Sequence, residues 1–176
     1  HFSINNELVL GASSDNTCWV WSGSSERVLH KFTGHTDKVM ATVLAGTDKL
    51  VSGSWDRWIK VWDLQKGFSI RSIPAESKVN DLDFGRGYKV VVSAHTDKCV
   101  RIHDMTTGES IAKIQQHNGA VTSVFMCEGS NSILTNGRDH MLYLFDVRYH
   151  GDPKVVQTYK DERYRNGCDW NAACMR

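Results

Sequence analysis

Three residues of the types found in a hydrolase triad lie near one another in the chain: His35, Ser52 and Asp56. In such a triad the histidine takes the proton of the serine hydroxyl, and the carboxylate orients the imidazole. The residue types alone therefore allow a nucleophilic site. The same groups also allow a structural network, in which the hydroxyl, the imidazole and the carboxylate satisfy one another inside the fold.

The pattern occurs a second time, as His117, Thr135 and Asp139. A catalytic site is not copied once per repeat, whereas a network that satisfies buried polar groups, each costing about 1–3 kcal/mol if left unpaired, can be. We therefore predict a non-catalytic protein in which these residues are structural. The predicted network comprises His35, Ser52, Asp56, Trp62, His117, Thr135, Asp139, Asp15, Trp21, Asp97 and His103.

The elements that must position these residues follow from a repeat. Four aspartates, 41, 41 and 42 residues apart, each stand six residues before an aromatic residue or a histidine. The pairs are Asp15 with Trp21, Asp56 with Trp62, Asp97 with His103, and Asp139 with Phe145. Between them lie short β-branched stretches that alternate with period two, which predicts strands rather than helices. The third repeat has no histidine at the upstream position, so we expect its network to be the least complete.

A period of about 40–45 residues that ends in Trp-Asp, with Gly-His upstream, resembles the WD40 repeat. The resemblance implies an all-β fold, a WD40 β-propeller, with about four blades present. We expect sixteen strands in blades at about residues 1–33, 34–74, 75–116 and 117–160, with a further blade starting in 161–176. We interpret the chain as a fragment of a longer propeller, most simply of seven blades. A ring of four blades closed by the last strand is the alternative.

The bulk composition excludes several classes of function. The net charge of +1 gives no broad basic surface, so we predict no nucleic-acid partner. No apolar run approaches the roughly 18 residues of a membrane span, so we predict no direct span. The five cysteines are odd in number and show no C-x-x-C spacing, so we predict neither a disulfide framework nor a metal, and no cofactor.

Several short blocks carry a closer resemblance. Residues 131–148 read NSILTNGRDHMLYLFDVR, residues 166–170 read NGCDW, and residues 93–98 read SAHTDK. In this order they resemble the C-terminal WD40 domain of the autophagy-related protein 16 family, most of all its plant-type and protist forms. The Gly34–Val39 start and the blade LVSGSWDRWIKVWDLQKG also fit that family, although they fit many WD40 proteins.

The resemblance implies a function that the repeat alone does not. Members of the family are scaffold subunits of a complex that directs the attachment of a ubiquitin-like protein to membrane lipid. We therefore expect a non-catalytic interaction scaffold in the cytoplasm, recruited to autophagosome-forming or endolysosomal membranes. Its partners would be proteins: the autophagy conjugation machinery, through N-terminal parts outside this chain, and recruiting partners on the propeller face.

The residues around the turn aspartates are the candidates for partner binding. Tryptophan and arginine are over-represented in protein interfaces, and Trp55 and Arg138 directly precede turn aspartates. Trp55 and Trp58 could equally pack against a neighbouring loop. Lys98 matches a lysine that the resemblance links to recruitment onto damaged or acidifying membranes, while a solvated turn lysine is the simpler interpretation. The candidates are Trp55, Trp58, Thr96, Lys98 and Arg138.

Two other functions stay open at this stage. The chain could be a WD40 substrate receptor or scaffold of another assembly, such as a ubiquitin ligase or a chromatin complex. It could also be an enzyme built on a propeller, which the copied network argues against.

Overall fold

The computed structural model describes residues 8–85, 87, 89–127, 131–148 and 153–168. The chain divides into two compact units, His1–Val79 and Asn80–Arg176. Each unit is built from antiparallel sheets whose strands follow one another in chain order, so each sheet forms from a continuous stretch of sequence.

The first unit contains two sheets. One has three strands, β1 (Leu8–Ala12), β2 (Thr17–Ser22) and β3 (Val28–Thr33). The other has four, β4 (Val39–Ala45), β5 (Lys49–Ser54), β6 (Trp58–Asp63) and β7 (Phe68–Pro74). Their core is a cluster of buried side chains drawn from both sheets: Leu10, Cys18, Val20, Phe32, Val39, Leu44, Leu50 and Trp62.

The second unit accounts for the remaining two sheets. One consists of β8 (Val79–Gly85), β9 (Val90–His95), β10 (Val100–Asp104) and β11 (Ser110–Ile114), with β8 beginning at the boundary residue. The other consists of β12 (Val121–Cys127), β13 (Ser132–Gly137), β14 (Leu142–Asp146) and β15 (Lys154–Tyr159). Burial is complete along β9, whereas every residue of β15 is exposed.

The predicted all-β fold class is confirmed by these sheets, and the described residues contain no helix. Fifteen of the sixteen expected strands are present. The sixteenth was expected within 161–176, where residues 161–168 form no strand and residues 169–176 lie outside the described residues.

The four repeating aspartates close the turn between the second and third strands of each four-stranded pattern. Each carboxylate accepts the backbone N–H two residues later, at 3.1 Å for Asp15, 2.9 Å for Asp56, 3.3 Å for Asp97 and 3.2 Å for Asp139. This is the Asx turn that aspartate favours. The residue after each aspartate has a positive φ: Asn16 (70°), Arg57 (69°), Lys98 (71°) and His140 (63°).

A second set of aspartates, which follow the aromatic position, caps the next turn. Asp63 accepts the N–H groups of Gln65 and Lys66, both at 2.9 Å, and Asp104 accepts those of Thr106 and Thr107 at 2.6 and 2.9 Å. These aspartates stand at the end of the sequence repeat, and the sequence alone assigned them no role. Their role is to satisfy the backbone donors of a turn that would otherwise be left unpaired.

A register shift precedes the aromatic position in every sheet. The pairing of the third and fourth strands slips at Val20/Trp21, Val61/Trp62, Ile102/His103 and Leu144/Phe145. A bulge of this kind bends the strand and re-aims a side chain. Its recurrence at the same repeat position indicates that it orients the side chain at the aromatic position of each sheet.

Candidate functional site

The predicted network of the second sheet is a continuous hydrogen-bonded chain. The Trp62 indole N–H donates to Ser52 Oγ at 2.8 Å, and Ser52 Oγ lies 2.8 Å from His35 Nε2. His35 Nδ1 lies 2.7 Å from Asp56 Oδ2, which also accepts the N–H of Thr36 at 3.0 Å. The chain therefore links β5 and β6 to the loop that precedes β4.

The order of donors follows from the end groups. The indole can only donate and an ionised carboxylate can only accept, so Ser52 donates to His35 Nε2 and His35 Nδ1–H donates to Asp56. The histidine in this arrangement is neutral. Burial lowers the pKa of His35, although its bond to Asp56 acts in the opposite direction. Burial acts to raise the pKa of Asp56, but the Thr36 N–H and His35 outweigh it and the net pKa is lowered.

The same order of donors occurs in a serine hydrolase, but this hydroxyl has no access to substrate. Ser52 is completely buried, and its oxygen already accepts the Trp62 indole. A nucleophile needs a free approach along the lone pair that attacks. The His35–Ser52–Asp56 set therefore presents no nucleophile to solvent.

The fourth sheet contains a shorter version of the network. His117 Nδ1 lies 3.0 Å from both oxygens of Asp139, and His117 Nε2 lies 2.8 Å from Thr135 Oγ1. Phe145, buried at the position of Trp62, has no N–H to continue the chain. The ring of Tyr143 instead packs edge-on against His117, with centroids 4.7 Å apart.

The first sheet differs from the prediction at Trp21. Asp15 accepts the N–H and hydroxyl of Thr17, and Thr17 Oγ1 accepts the Trp19 indole at 2.8 Å. Trp21 instead stacks on Trp19, and its ring lies over Gly11, where an added Cβ would come within 2.7 Å of it. Gly11 stands where the second sheet has Ser52, so no hydroxyl is available to Trp21 at that position.

The third sheet replaces the missing histidine from within its own strand. His95 is completely buried at the end of β9, and its Nε2 lies 2.8 Å from Ser93 Oγ. Asp97 binds the guanidinium of Arg101 through two bonds, of 3.1 and 2.6 Å. This sheet therefore has a Ser93–His95 pair and an Asp97–Arg101 pair in place of the continuous chain of the second sheet. His103, at the position of Trp62, is buried.

The sequence analysis did not identify Arg101 as part of the network. The Arg101 side chain is only 2% exposed and pairs with Asp97 four residues earlier. Burial acts to raise the pKa of Asp97, but the bonds from Arg101 outweigh it and hold the pKa below its usual value. An arginine between Val100 and Ile102, four residues after a turn aspartate, was the available signal.

Two carboxylates join neighbouring sheets within the second unit. Asp81 on β8 accepts the N–H of Val124 at 3.1 Å, and Asp83 accepts that of Met126 at 2.8 Å. Both donors lie on β12, which these bonds tie to β8 through the two carboxylate side chains rather than by a backbone ladder. Burial raises the pKa of Asp81 to about 7, and the nearby charge of Asp83 adds to the shift.

We expect this carboxyl to make the stability of the second unit depend on pH. Its folded-state pKa of about 7 exceeds its ordinary value of 3.8, so the folded chain binds more protons between these values. Its contribution is thus fully present below the ordinary pKa and is lost as the pH rises through about 7. Asp81→Asn keeps the acceptor oxygen and should remove this part of the slope in urea titrations between pH 4 and 7.

Asp48→Asn, a change in the first unit, controls for the loss of one charge. The interpretation of Asp81 is contradicted if its variant and the unchanged protein show the same dependence of unfolding free energy on pH. Burial also lowers the pKa values of His35 and His117, but both histidines are present in both proteins and cancel in the comparison.

The candidate partner-binding residues occupy the turns. Trp55 is half-buried, and its backbone N–H donates to Lys38 O at 2.9 Å. Trp58 is 41% exposed at the start of β6, opposite Pro74 in the strand register. Thr96 is half-buried and Lys98 is exposed. Arg138 is exposed and donates to the carbonyl of Gly167 at 2.9 Å, so it is partly engaged within its own unit.

No group of three or more potential metal ligands comes together in the part of the chain that the structure describes. Nor do the described residues include a helix with the length and apolar character needed to cross a membrane.

Comparison with a family model gives three matches to "WD domain, G-beta repeat", at residues 26–63, 67–104 and 108–146. Each matched segment contains the outer strand of one sheet and the first three strands of the next. The sequence unit is therefore offset by one strand from the structural unit.

The chain is similar to three relatives of known name. Protein tipD of Dictyostelium discoideum is 39% identical over 98% of this chain, and autophagy-related protein 16 of Arabidopsis thaliana is 35% identical over 97%. WD repeat-containing protein 37 of Homo sapiens is 36% identical over 61% of the chain. The chain spans only 28%, 33% and 22% of the length of these relatives, respectively.

Proposed function

The chain belongs to the WD40 repeat family, and from that premise we propose that it is the adaptor part of an autophagy-related protein 16-like scaffold. In this role it would direct the lipidation of a ubiquitin-like protein by bringing the conjugation machinery to autophagic or endolysosomal membranes. The chain itself would act by binding proteins, from the cytoplasm, without a catalytic step.

One observation carries this proposal. Similarity to two relatives, one of them named as autophagy-related protein 16, extends over nearly the whole chain, whereas similarity to WD repeat-containing protein 37 covers 61% of it. The described geometry is compatible with a binding role, since the hydroxyls of both triad-like sets, those of Ser52 and Thr135, are buried.

A second candidate is a WD40 scaffold of a different assembly. It is supported by the 36% identity to WD repeat-containing protein 37, a WD-repeat protein whose printed name mentions no autophagy. Affinity purification of the full-length protein separates the two candidates. Co-purification of the ubiquitin-like conjugate, and loss of its lipidated form when the gene is deleted, supports the first. Normal lipidation in the deletion strain rules it out.

We place the recruiting contact at the turns that follow the second strand of each sheet. Trp55 directly precedes Asp56 and Lys98 directly follows Asp97, so they occupy corresponding turns of consecutive repeats. We propose that both turns take part in recruitment, through an interface of standard size, about 800 Å² per side.

The double variant Trp55→Ala/Lys98→Ala should weaken recruitment to single-membrane compartments. Truncating an interface tryptophan typically costs about 2 kcal/mol or more, roughly thirtyfold in affinity. The lysine should add less, mainly through a salt-dependent association rate. The measurement is the number of puncta of the lipidated ubiquitin-like protein on stressed vacuoles or endolysosomes.

Starvation-induced autophagy in the same cells is the comparison, and thermal stability is the control for folding. Recruitment at the unchanged level would exclude this surface as the docking site. A collapse of the melting temperature would instead show that Trp55 acts mainly in packing.

A further inference from the structure

The indole ring of Trp55 supports two lysine ammonium groups. Lys38 Nζ lies 5.3 Å and Lys78 Nζ 4.6 Å from the ring centroid. Both distances fall within the roughly 6 Å over which a cation is attracted to an aromatic face. All three residues belong to the first unit, although Lys38 and Lys78 are 40 positions apart in the chain.

The backbone of Trp55 is joined to that of Lys38. The backbone N–H of Trp55 donates to the backbone carbonyl of Lys38 at 2.9 Å, so the residue that carries the ring and the residue that carries one ammonium group are held together. The ring is half-buried, and lysines lie over it. A long lysine side chain normally loses about 1.5–2 kcal/mol of rotamer freedom when it is fixed. Because part of that loss has already occurred here, the two cations are pre-organised for a ligand.

The acids near these cations leave them available to a partner. Asp56, the carboxylate next to Trp55, is already bound by His35 and by the N–H groups of Thr36 and Trp58. The carboxylate of Asp37 accepts the N–H of Lys38 at 2.8 Å. Arg57, exposed and directly after Asp56, adds a third positive charge to the same turn.

We propose that Lys38 and Lys78, positioned by Trp55, bind the carboxylates of an acidic segment of a partner protein. This inference rests on the proposed role of the chain as a protein-binding adaptor, and it specifies the chemistry of the ligand. Trp55 then acts as a positioning residue for the two lysines rather than as an anchor that enters a pocket of the partner.

An apolar step, formed by Trp58 and Pro74, lies at the start of β6, the strand that follows the Trp55 turn. Trp58 is 41% exposed and stands opposite Pro74, which is also exposed. A segment that places acidic residues on the lysines can therefore lay one apolar side chain against this step. The preferred ligand is an extended peptide with two acidic residues next to an apolar one.

The charge distribution favours a peptide over an anionic membrane. Membrane attraction requires a cluster of basic residues acting together on a charged surface. This chain has a net charge of +1, and Asp37 and Glu76 lie among the cations of this region of the sequence. Two ammonium groups held over one ring fit carboxylates at defined places better than a diffuse negative surface.

The test uses the full-length protein and a panel of short fluorescent peptides. Each peptide carries two glutamates at varied spacing beside one leucine, and a matched panel carries glutamine instead. We expect the best glutamate peptide to bind about tenfold more tightly than its glutamine counterpart, and this preference to fall with added salt. Lys38→Ala/Lys78→Ala should abolish the preference, and Trp55→Phe should reduce it partly, because phenylalanine is a weaker cation–π partner.

The matched control is Lys49→Ala/Lys66→Ala, which removes the same charge from the opposite end of the same sheet, where these lysines pair with Asp48 and Asp63. It should leave the preference intact. The proposal is overturned if the unchanged protein does not distinguish glutamate from glutamine peptides, or if both lysine pairs lower binding equally. It is also overturned if phosphatidylserine vesicles, and not the peptides, show the dependence on Lys38 and Lys78.

The recruiting role of the chain and the acidic ligand can be refuted separately. A glutamate preference that depends on Lys38 and Lys78, together with normal recruitment of Trp55→Ala/Lys98→Ala in cells, supports the acidic ligand and refutes the recruiting role. Lost recruitment without any glutamate preference supports the recruiting role and refutes the acidic ligand.

Discussion

Replacing Trp62 with alanine is expected to lower the free energy of unfolding by about 3–5 kcal/mol, the range for a large-to-small change in a core. Trp62 is 2% exposed, and its ring packs on Phe32 with centroids 5.1 Å apart. Its indole N–H also donates a hydrogen bond to the hydroxyl of the buried Ser52. The variant therefore loses both packing and a hydrogen bond, and the midpoint of urea denaturation measures the loss.

Trp58→Ala is the matched control, because Trp58 lies on the same strand but is 41% exposed. It should change the midpoint by much less than Trp62→Ala. Equal midpoints for Trp62→Ala and the unchanged protein would show that the network does not stabilise the first unit.

Gly137→Ala should destabilise the second unit by about 2–4 kcal/mol, although it adds only one methyl group. A Cβ at this position would lie 2.3 Å from His117 Nδ1 and 2.7 Å from Asp139 Oδ1. Those are the two atoms that form the 3.0 Å bond of the network. The methyl group forces them apart, which combines an overpacking cost of about 1–3 kcal/mol with the loss of a buried bond.

Gly87→Ala provides the comparison, since a Cβ there would meet no atom within 4 Å. It should leave stability nearly unchanged. A Gly137→Ala variant with the denaturation midpoint of the unchanged protein would mean that His117 can withdraw from Asp139 at little cost.

The sequence predicted the features that depend on local chemistry. The turn aspartates recur because an Asx turn needs a carboxylate two residues before the N–H that it accepts. The alternation of apolar and polar residues with period two follows from strands that bury one face more than the other. The fold class and the pairing of His35 with Ser52 and Asp56 follow from these rules. Trp62 could be added because a buried indole needs an acceptor, and only a hydroxyl one strand away offers one.

The remaining contacts depend on residue types that the spacing of the repeat does not specify. In the first sheet Thr17 takes the place of Ser52 as the acceptor, because Gly11 leaves no hydroxyl at the expected position. In the third sheet His95 stands at the repeat position that Gly137 occupies in the fourth, so an imidazole from the strand replaces one from the loop. Such alternative hydrogen-bond partners can be identified only when the positions of the side chains are known.

The offset between the sequence repeat and the sheet has a consequence for how such a chain can change its length. The segment 67–104 supplies the outer strand β7 to one sheet and the strands β8, β9 and β10 to the next. A tandem duplication of that segment would insert four strands shared between two sheets. The new copy's first strand would complete the sheet upstream, and its last three would receive their outer strand from the segment that follows. Repeat number can therefore rise or fall by one in a single genetic event without leaving any sheet short of a strand.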